Sequence, residues 1–113
     1  MQKKVLKGNE AVAEAAILSG GKVGCHRQQG IGDGFVPGNL DISLIDGVIT
    51  VSDEEALETS RRLAREEGLM VGISSGSNVC AALKLARQLG AGKRVVTLLP
   101  DTAERYFTTD LFA

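Results

Sequence analysis

The chain has 113 residues, of which 43% are hydrophobic and 24% are charged, and its formal net charge is −1. This composition is typical of one small globular domain and argues against disorder, and the near-neutral charge argues against nucleic acid as a partner. Cys25 and Cys80 belong to no Cys-x-x-Cys pair, which argues against a zinc site or a disulfide scaffold and favours the cytoplasm. No targeting signal is evident, and no apolar run approaches the roughly 20 residues that span a bilayer, so we expect no membrane partner.

The first part of the chain predicts one strand, one helix and a glycine-rich loop. Lys3 to Lys7 predicts a short strand, and the alanine-rich stretch from Glu10 to Leu18 predicts a helix. Between Val23 and Asp46 glycines recur, which predicts a loop with tight turns and one short helix.

The middle of the chain predicts a strand followed by a capped helix. Gly47 to Val51 is rich in β-branched residues and predicts a buried strand. Ser52 and Glu55 have the spacing of a capping box, which predicts a helix that starts after Ser52, runs to Glu67 and ends at Gly68. The predicted inner face of this helix is Ala56, Leu57, Leu63 and Ala64.

The last part of the chain predicts two more strands around an apolar helix. Leu69 to Ile73 predicts a strand, and the helix that follows Ser74 to Ser77 ends at Leu89. Its predicted apolar face is Val79, Ala82, Leu83, Ala86 and Leu89, which Ala81 and Leu85 broaden. Arg94 to Pro100 predicts the last strand. The alternating order predicts an α/β fold for residues 1–113, a single domain with a small parallel sheet flanked by helices.

Two segments follow predicted strands and therefore meet at one edge of the sheet, where ligands bind in open parallel sheets. One is Ser74 to Ser77, where free N–H groups at a helix start favour an anion or an acceptor atom. The other is Pro100 to Tyr106. Serines at such positions are more often helix caps than ligand groups, and Asp101 and Glu104 are more often surface carboxylates than an acid–base pair. The single histidine, His26, is more simply solvent-facing than a general base.

Five ordered segments carry a resemblance to a known family. They are Leu18-Ser-Gly-Gly-Lys22, the Gln29 to Asn39 run, Asp41 to Ile45, Gly72 to Gly76 and Glu104-Arg-Tyr106. From about Ile17 to Phe112 the chain resembles the C-terminal part of the cysteine synthase (O-acetylserine sulfhydrylase) family of pyridoxal-phosphate enzymes. The resemblance implies the large-domain portion of a fold-type II pyridoxal enzyme, and a reaction in which sulfide replaces the acetate of O-acetylserine to give cysteine.

The resemblance also implies roles for particular residues. Ser74 corresponds to the serine that binds the pyridine nitrogen of pyridoxal phosphate, and its neutral hydroxyl implies a milder electron sink than a carboxylate would give. Pro100 and Asp101 would lie beside the ring. The residues that would line the substrate entrance are Gly30, Ile31 and Gly32. No catalytic residue and no metal ligand is implied within this chain.

Several family features have no counterpart in the sequence. The Schiff-base lysine, the Ser-Gly-Asn-Thr substrate loop and the phosphate-binding glycine-threonine loop match no segment. Asp33 adds a charge where the family often has the alanine of Gly-Ala-Gly-Phe. We therefore expect a fragment or chimera of a cysteine synthase that does not catalyse alone and binds no pyridoxal phosphate alone.

The segment at residues 4–16 fits a different family. It resembles the opening strand and helix of the α subunit of 2-oxoacid:ferredoxin oxidoreductases, which suggests a separate origin for residues 1–16.

Three kinds of partner follow from the resemblance: a second copy in a homo-oligomer, the missing half of the enzyme, and the C-terminal peptide of serine acetyltransferase in a groove around Gly30 to Phe35. The alternatives are a non-catalytic interaction module and a recombined, folded chimera without a ligand.

Overall fold

The computed structural model describes residues 10–12, 43, 46–108 and 111. Within this part of the chain the elements are β1 (Glu10–Val12), α1 (Asp53–Glu67), α2 (Ile73–Leu89), β2 (Arg94–Val96) and a 3-10 helix (Ala103–Tyr106). β1 and β2 pair in parallel, with Glu10 opposite Arg94 and Val12 opposite Val96. None of the helices in these ranges combines the length and the apolar character needed to cross a membrane.

Helix α1 begins and ends at the residues predicted from the sequence. The Ser52 hydroxyl accepts a hydrogen bond from the Glu55 N–H at 3.2 Å, and the Glu55 carboxylate accepts one from the Ser52 N–H at 2.9 Å. Gly68 ends the helix in the left-handed region with φ of 68°, where a Cβ would be strained. The capping box is confirmed because both of its bonds are local and need no tertiary partner.

The two helices pack against each other through small residues. Gly76 of α2 lies so close to α1 that an added Cβ would be 2.1 Å from the Ser60 hydroxyl oxygen and 2.2 Å from the Ala56 carbonyl oxygen. The buried Ser60 hydroxyl donates to the Ala56 carbonyl at 3.1 Å and to the Gly72 carbonyl at 2.9 Å. A hydroxyl of α1 thus holds the first turn of α2 in place.

The core lies between the two helices and the chain that flanks them. Its main cluster of buried apolar residues is Val51, Ala56, Leu57, Ile73, Ala81 and Leu111. Ala82 and Leu85 form a second cluster against Ile49 and Val95. The predicted inner positions Leu63 and Ala64 of α1 are only half-buried.

The buried face of α2 differs from the face predicted by apolar spacing. The helix buries Ser75, Gly76, Ser77 and Asn78 along with Ala81, Ala82 and Leu85, whereas Leu83 and Leu89 are 43% and 37% exposed. The prediction is confirmed for Ala81, Ala82 and Leu85 and wrong for Leu83 and Leu89. Small polar side chains can be buried where helices approach closely, provided that their hydrogen bonds are made. The Ser77 hydroxyl makes such a bond to the Ile73 carbonyl at 3.2 Å.

Two predicted strands and the first residues of one predicted helix are also wrong, whereas residues 13–18 of that helix lie outside the described residues. Residues 47–51 form no strand, and in the segment 69–73 only Val71 makes a β-bridge, which is antiparallel to Thr102. Ile73 belongs to α2, which starts before Ser74 instead of after Ser77. Residues 10–12 form a strand where a helix was predicted, because pairing with β2 overrides the helix propensity of alanine-rich sequence.

The last predicted strand is shorter than expected. β2 ends at Val96, and two residues later the Leu98 carbonyl accepts a bond from the side-chain amide of Asn78 at 3.0 Å. The Leu98 carbonyl is therefore bonded to a side chain of α2. In a longer β2 the same carbonyl would accept a bond from a neighbouring strand. β1 and β2 pair in parallel, but β1 lies in a segment that was predicted as a helix, so the predicted sheet is not confirmed. The predicted strand at residues 3–7 and the predicted short helix of the glycine-rich loop lie outside the described residues.

Replacement of Gly76 by alanine should destabilise the protein. Alanine normally strengthens a helix, but here its Cβ would overlap backbone and side-chain atoms of α1, and overpacking of this kind costs about 1–3 kcal/mol. The free energy of unfolding in urea measures the effect. Gln88→Ala, at an exposed position of the same helix, should stay within about 0.5 kcal/mol of the native chain. A Gly76→Ala chain as stable as the native one would contradict the close packing of the helices.

The free energy of unfolding should decrease at low pH, and protonation of Glu55 should account for part of the decrease. The hydrogen bond from Lys84, followed by the Ser52 N–H, lowers the pKa of Glu55 below its ordinary value of 4.5. A carboxylate with a lowered folded pKa stabilises above its unfolded pKa, and the stabilisation is lost as pH falls through the folded value. Glu55→Gln should therefore flatten the stability curve below about pH 4.5, by less than about 1 kcal/mol because the pair is partly exposed. Urea unfolding across this pH range measures it, and Glu54→Gln, which removes a carboxylate from the same turn, is the matched control.

Candidate functional site

The N-terminus of α2 is capped by a residue from a distant part of the chain. Gly72 is the N-cap and offers no side chain, so the suggestion that Ser74 or Ser75 caps the helix is wrong. Instead Asp101 reaches the first turn, where its Oδ1 accepts a bond from the Ser75 N–H at 3.2 Å. The Ser75 hydroxyl donates to the same oxygen. A carboxylate is favoured here by the free N–H groups and the positive end of the helix dipole.

Tyr106 holds the other oxygen of this carboxylate. Its hydroxyl donates to Asp101 Oδ2 at 2.7 Å. We call Ser75, Asp101 and Tyr106 the Asp101 network. Ser75 is fully buried, whereas Asp101 and Tyr106 are half-buried. The network therefore joins the first turn of α2 to the 3-10 helix.

Two backbone hydrogen bonds join the same two segments of the chain as the Asp101 network. The Gly72 N–H donates to the Asp101 carbonyl at 3.4 Å, and the Ala103 N–H donates to the Met70 carbonyl at 3.2 Å. A Cβ on Gly72 would lie 2.1 Å from Asp101 Oδ2 and 2.4 Å from the Tyr106 ring. Only glycine fits at this position without displacing the network.

The network keeps the Asp101 carboxyl ionised. Burial alone would raise the pKa of Asp101, but hydrogen bonds from the side chains of Ser75, Tyr106 and Ser74 outweigh burial and lower it. Burial and the neighbouring Asp101 carboxylate raise the pKa of Tyr106 to about 12, so its hydroxyl remains a donor at neutral pH. The arrangement is a fixed anion surrounded by neutral donors.

The structure brings together the two segments that the sequence placed at one edge of the sheet. Ser74 is half-buried on the first turn of α2, Asp101 faces that turn, and Pro100 is exposed beside it. Glu104 is exposed and joins no acid–base pair in the described network. The predicted substrate residues Gly30, Ile31 and Gly32, and His26, lie outside the described residues.

Sequence reasoning missed the pairing of Ser75 with Asp101 and the role of Gly72. The available signal was a glycine at a helix start, where a cap with a side chain is normally found. Of the residues that the structure describes, no three His, Cys, Asp or Glu side chains come close enough together to hold a metal ion. The described cysteine, Cys80, is a free thiol.

Comparisons with known sequences identify the family. The family described as "Pyridoxal-phosphate dependent enzyme" matches residues 7–101. A cysteine synthase of Staphylococcus aureus strain N315 is 50% identical over 97 residues, which are 86% of this chain and 31% of the relative. Cysteine synthase A of Salmonella typhi is 50% identical over 103 residues, 90% of this chain and 32% of the relative. The chain thus spans about a third of the length of these relatives.

The family match also bears on residues 4–16. It begins at residue 7 and so includes most of the segment that resembled a 2-oxoacid:ferredoxin oxidoreductase. That second resemblance is therefore unsupported.

Solved structures give the same assignment. O-ureido-L-serine synthase is 45% identical with a TM-score of 0.76, and the match covers 91% of this chain and 33% of that one. A cysteine synthase from Entamoeba histolytica is 37% identical with a TM-score of 0.77, covering 91% of this chain and 31% of that one. An O-acetylserine dependent cystathionine beta-synthase from Helicobacter pylori is 44% identical with a TM-score of 0.74, and the match covers 92% of this chain and 34% of that one. This chain belongs to the family of pyridoxal-phosphate dependent enzymes, and it is similar to the C-terminal part of a cysteine synthase.

Proposed function

We propose that this chain forms the ring-nitrogen end of the pyridoxal-phosphate site of a cysteine-synthase-like enzyme, with Ser74 as the partner of the pyridine nitrogen. The observation that carries the proposal is the Asp101 network, which fixes the first turn of α2 against the segment after β2. Ser74 lies on that turn and remains half-buried, whereas the neighbouring Ser75 is fully buried.

The groups at this end of α2 suit a heteroaromatic nitrogen better than a phosphate. Asp101 already occupies the positive end of the helix dipole, so a second anion would meet a like charge. The Ser74 hydroxyl can both donate and accept a hydrogen bond, which matches a ring nitrogen with or without a proton. The donor set therefore fits the pyridine end of the cofactor.

When bound, pyridoxal phosphate supplies an electron sink for replacement at the β-carbon of an amino acid. In this proposal the chain's own residues bind and orient the ring. Ser74 holds the nitrogen, Pro100 and Asp101 lie beside the ring, and Gly72 allows the network to approach the helix start. O-acetylserine and sulfide are the proposed substrates, with Gly30, Ile31 and Gly32 at their entrance.

A complete site would require this chain to assemble with a further part of the enzyme. Residues 1–113 would form one α/β unit with a small parallel sheet, and the lysine that attaches the cofactor would come from a part of the enzyme that this sequence does not match. Val96 and Leu98 are 47% and 59% exposed, which supports a covering surface from another copy or from the remainder of such an enzyme. A cytoplasmic location and binding of a serine acetyltransferase peptide around residues 30–35 stay predictions.

The chain on its own should neither retain pyridoxal phosphate nor make cysteine. After incubation with the cofactor and reduction with borohydride, peptide mapping should find no single lysine modified in stoichiometric amount. The physical reason is that no lysine of the sequence lies in a family motif that would direct it to the aldehyde. One uniquely modified lysine together with sulfide-dependent turnover would contradict this expectation, and full-length Salmonella typhi cysteine synthase A is the positive control.

Replacement of Ser74 by alanine should weaken recognition of the pyridine ring. At millimolar pyridoxine, which has the ring but neither aldehyde nor phosphate, the amide resonances of residues 73–76 should shift in the native chain. Loss of one hydrogen bond should raise Kd about 3–10-fold in Ser74→Ala. Ser77→Ala removes a buried hydroxyl three residues further along the helix, where it bonds to the Ile73 carbonyl, and should leave Kd unchanged. If pyridoxine shifts none of these amides, the ring does not bind at this helix start.

A further inference from the structure

The two faces of strand β2 have different surroundings. Val95 packs against Ala82 and Leu85 of helix α2, so that helix covers one face of the strand. Successive side chains of a strand point to opposite faces. Val96 therefore lies on the other face, where it is 47% exposed.

The same alternation continues past the end of β2. Arg94, Val96 and Leu98 are exposed, whereas Val95 and Thr97 between them are half-buried. Leu98 is 59% exposed. We call the surface formed by Val96 and Leu98 the open face of β2. It carries two large apolar side chains on the side of the strand that α2 does not cover.

A parallel sheet is seldom left open on one side. β1 and β2 pair in parallel, and parallel sheets occur almost only where helices cover both faces. Of the two α-helices in the described part of the chain, α2 lies on the Val95 side and α1 packs against α2. Neither of these helices covers the open face, so a helix layer is missing from it.

The relatives indicate where such a layer would come from. The match with cysteine synthase A of Salmonella typhi takes in 90% of this chain but only 32% of the relative, so about two-thirds of the relative lies outside it. The fold of this chain is also close to that of a stretch within a much longer solved chain, with a TM-score of 0.76. The open face thus corresponds to a surface that has a large further part of the same protein available to cover it.

Resting on the assembly described under the proposed function, we infer that the open face of β2 is a docking surface for the remaining two-thirds of a cysteine-synthase-like fold. The occupant is a helix layer with an apolar side that lies over Val96 and Leu98. A second copy of this chain fits less well, because two open faces in contact would stack one parallel sheet on another without the helices that such sheets require.

The test is co-expression of this chain, carrying an affinity tag, with the part of Salmonella typhi cysteine synthase A that precedes its matched residues. The two polypeptides should be recovered together as a one-to-one complex, whose mass is measured by light scattering. Leu98→Lys places a charge in the covered surface and should reduce the recovered complex about tenfold or more. Gln88→Lys adds the same charge at an exposed position of α2 and should leave recovery unchanged.

A second variant guards against loss of folding. Leu98 is mostly exposed in this chain, so Leu98→Lys should keep the far-ultraviolet circular dichroism of the native protein. If it does not, Val96→Thr keeps the β-branched shape that suits a strand and should still reduce recovery about threefold or more, because it places a hydroxyl in an apolar contact.

Each outcome supports or overturns the inference. Absence of a complex with the native chain, whether the added polypeptide is soluble or insoluble, would overturn it. So would a complex that Leu98→Lys and Val96→Thr leave unchanged. A native chain that forms a dimer which Leu98→Lys separates into monomers would assign the open face to a second copy and would also overturn it.

The same experiments keep this inference distinct from the proposed function. A complex that forms although pyridoxine shifts no amide of residues 73–76 would uphold the docking surface and overturn the proposed role of Ser74. Amide shifts in a chain that forms no complex would have the opposite meaning. Ser74→Ala should leave recovery of the complex unchanged, because Ser74 lies on helix α2 and not on the open face.

Discussion

The contact on which this structure depends is the carboxylate of Asp101 at the start of helix α2. The helix begins at Gly72, which has no side chain to satisfy the N–H groups of the first turn. Asp101 satisfies one of them across 26 residues of sequence and places a negative charge at the positive end of the helix. This contact joins the start of α2 to the segment after β2.

The close approach of the helices supports the same region from the other side. Gly76 lets α2 lie against the backbone of α1, and Ser60 of α1 donates to the Gly72 carbonyl. The N-cap residue is therefore held by α1 through its carbonyl and by Asp101 through its N–H. A binding group on this turn has a rigid base, which is what a site must have to keep its geometry.

This arrangement explains why two adjacent serines have different roles. Ser75 is fully buried and its hydroxyl donates a hydrogen bond to Asp101, so this serine stabilises the fold. Ser74 is half-buried on the same turn and is the serine that the family resemblance associates with the cofactor ring. The N–H and the hydroxyl of Ser75 hold the Asp101 carboxylate at the turn on which Ser74 lies.

The sequence by itself determined the features that depend on neighbours along the chain. The capping box at Ser52, the glycine end of α1 and the family resemblance could be read directly, because each is a local pattern. The buried face of α2, the length of β2, the strand at residues 10–12 and the partner of Ser75 were decided by tertiary structure. Each of these depends on which distant group satisfies a backbone or hydroxyl group, and that choice is made only when the chain packs.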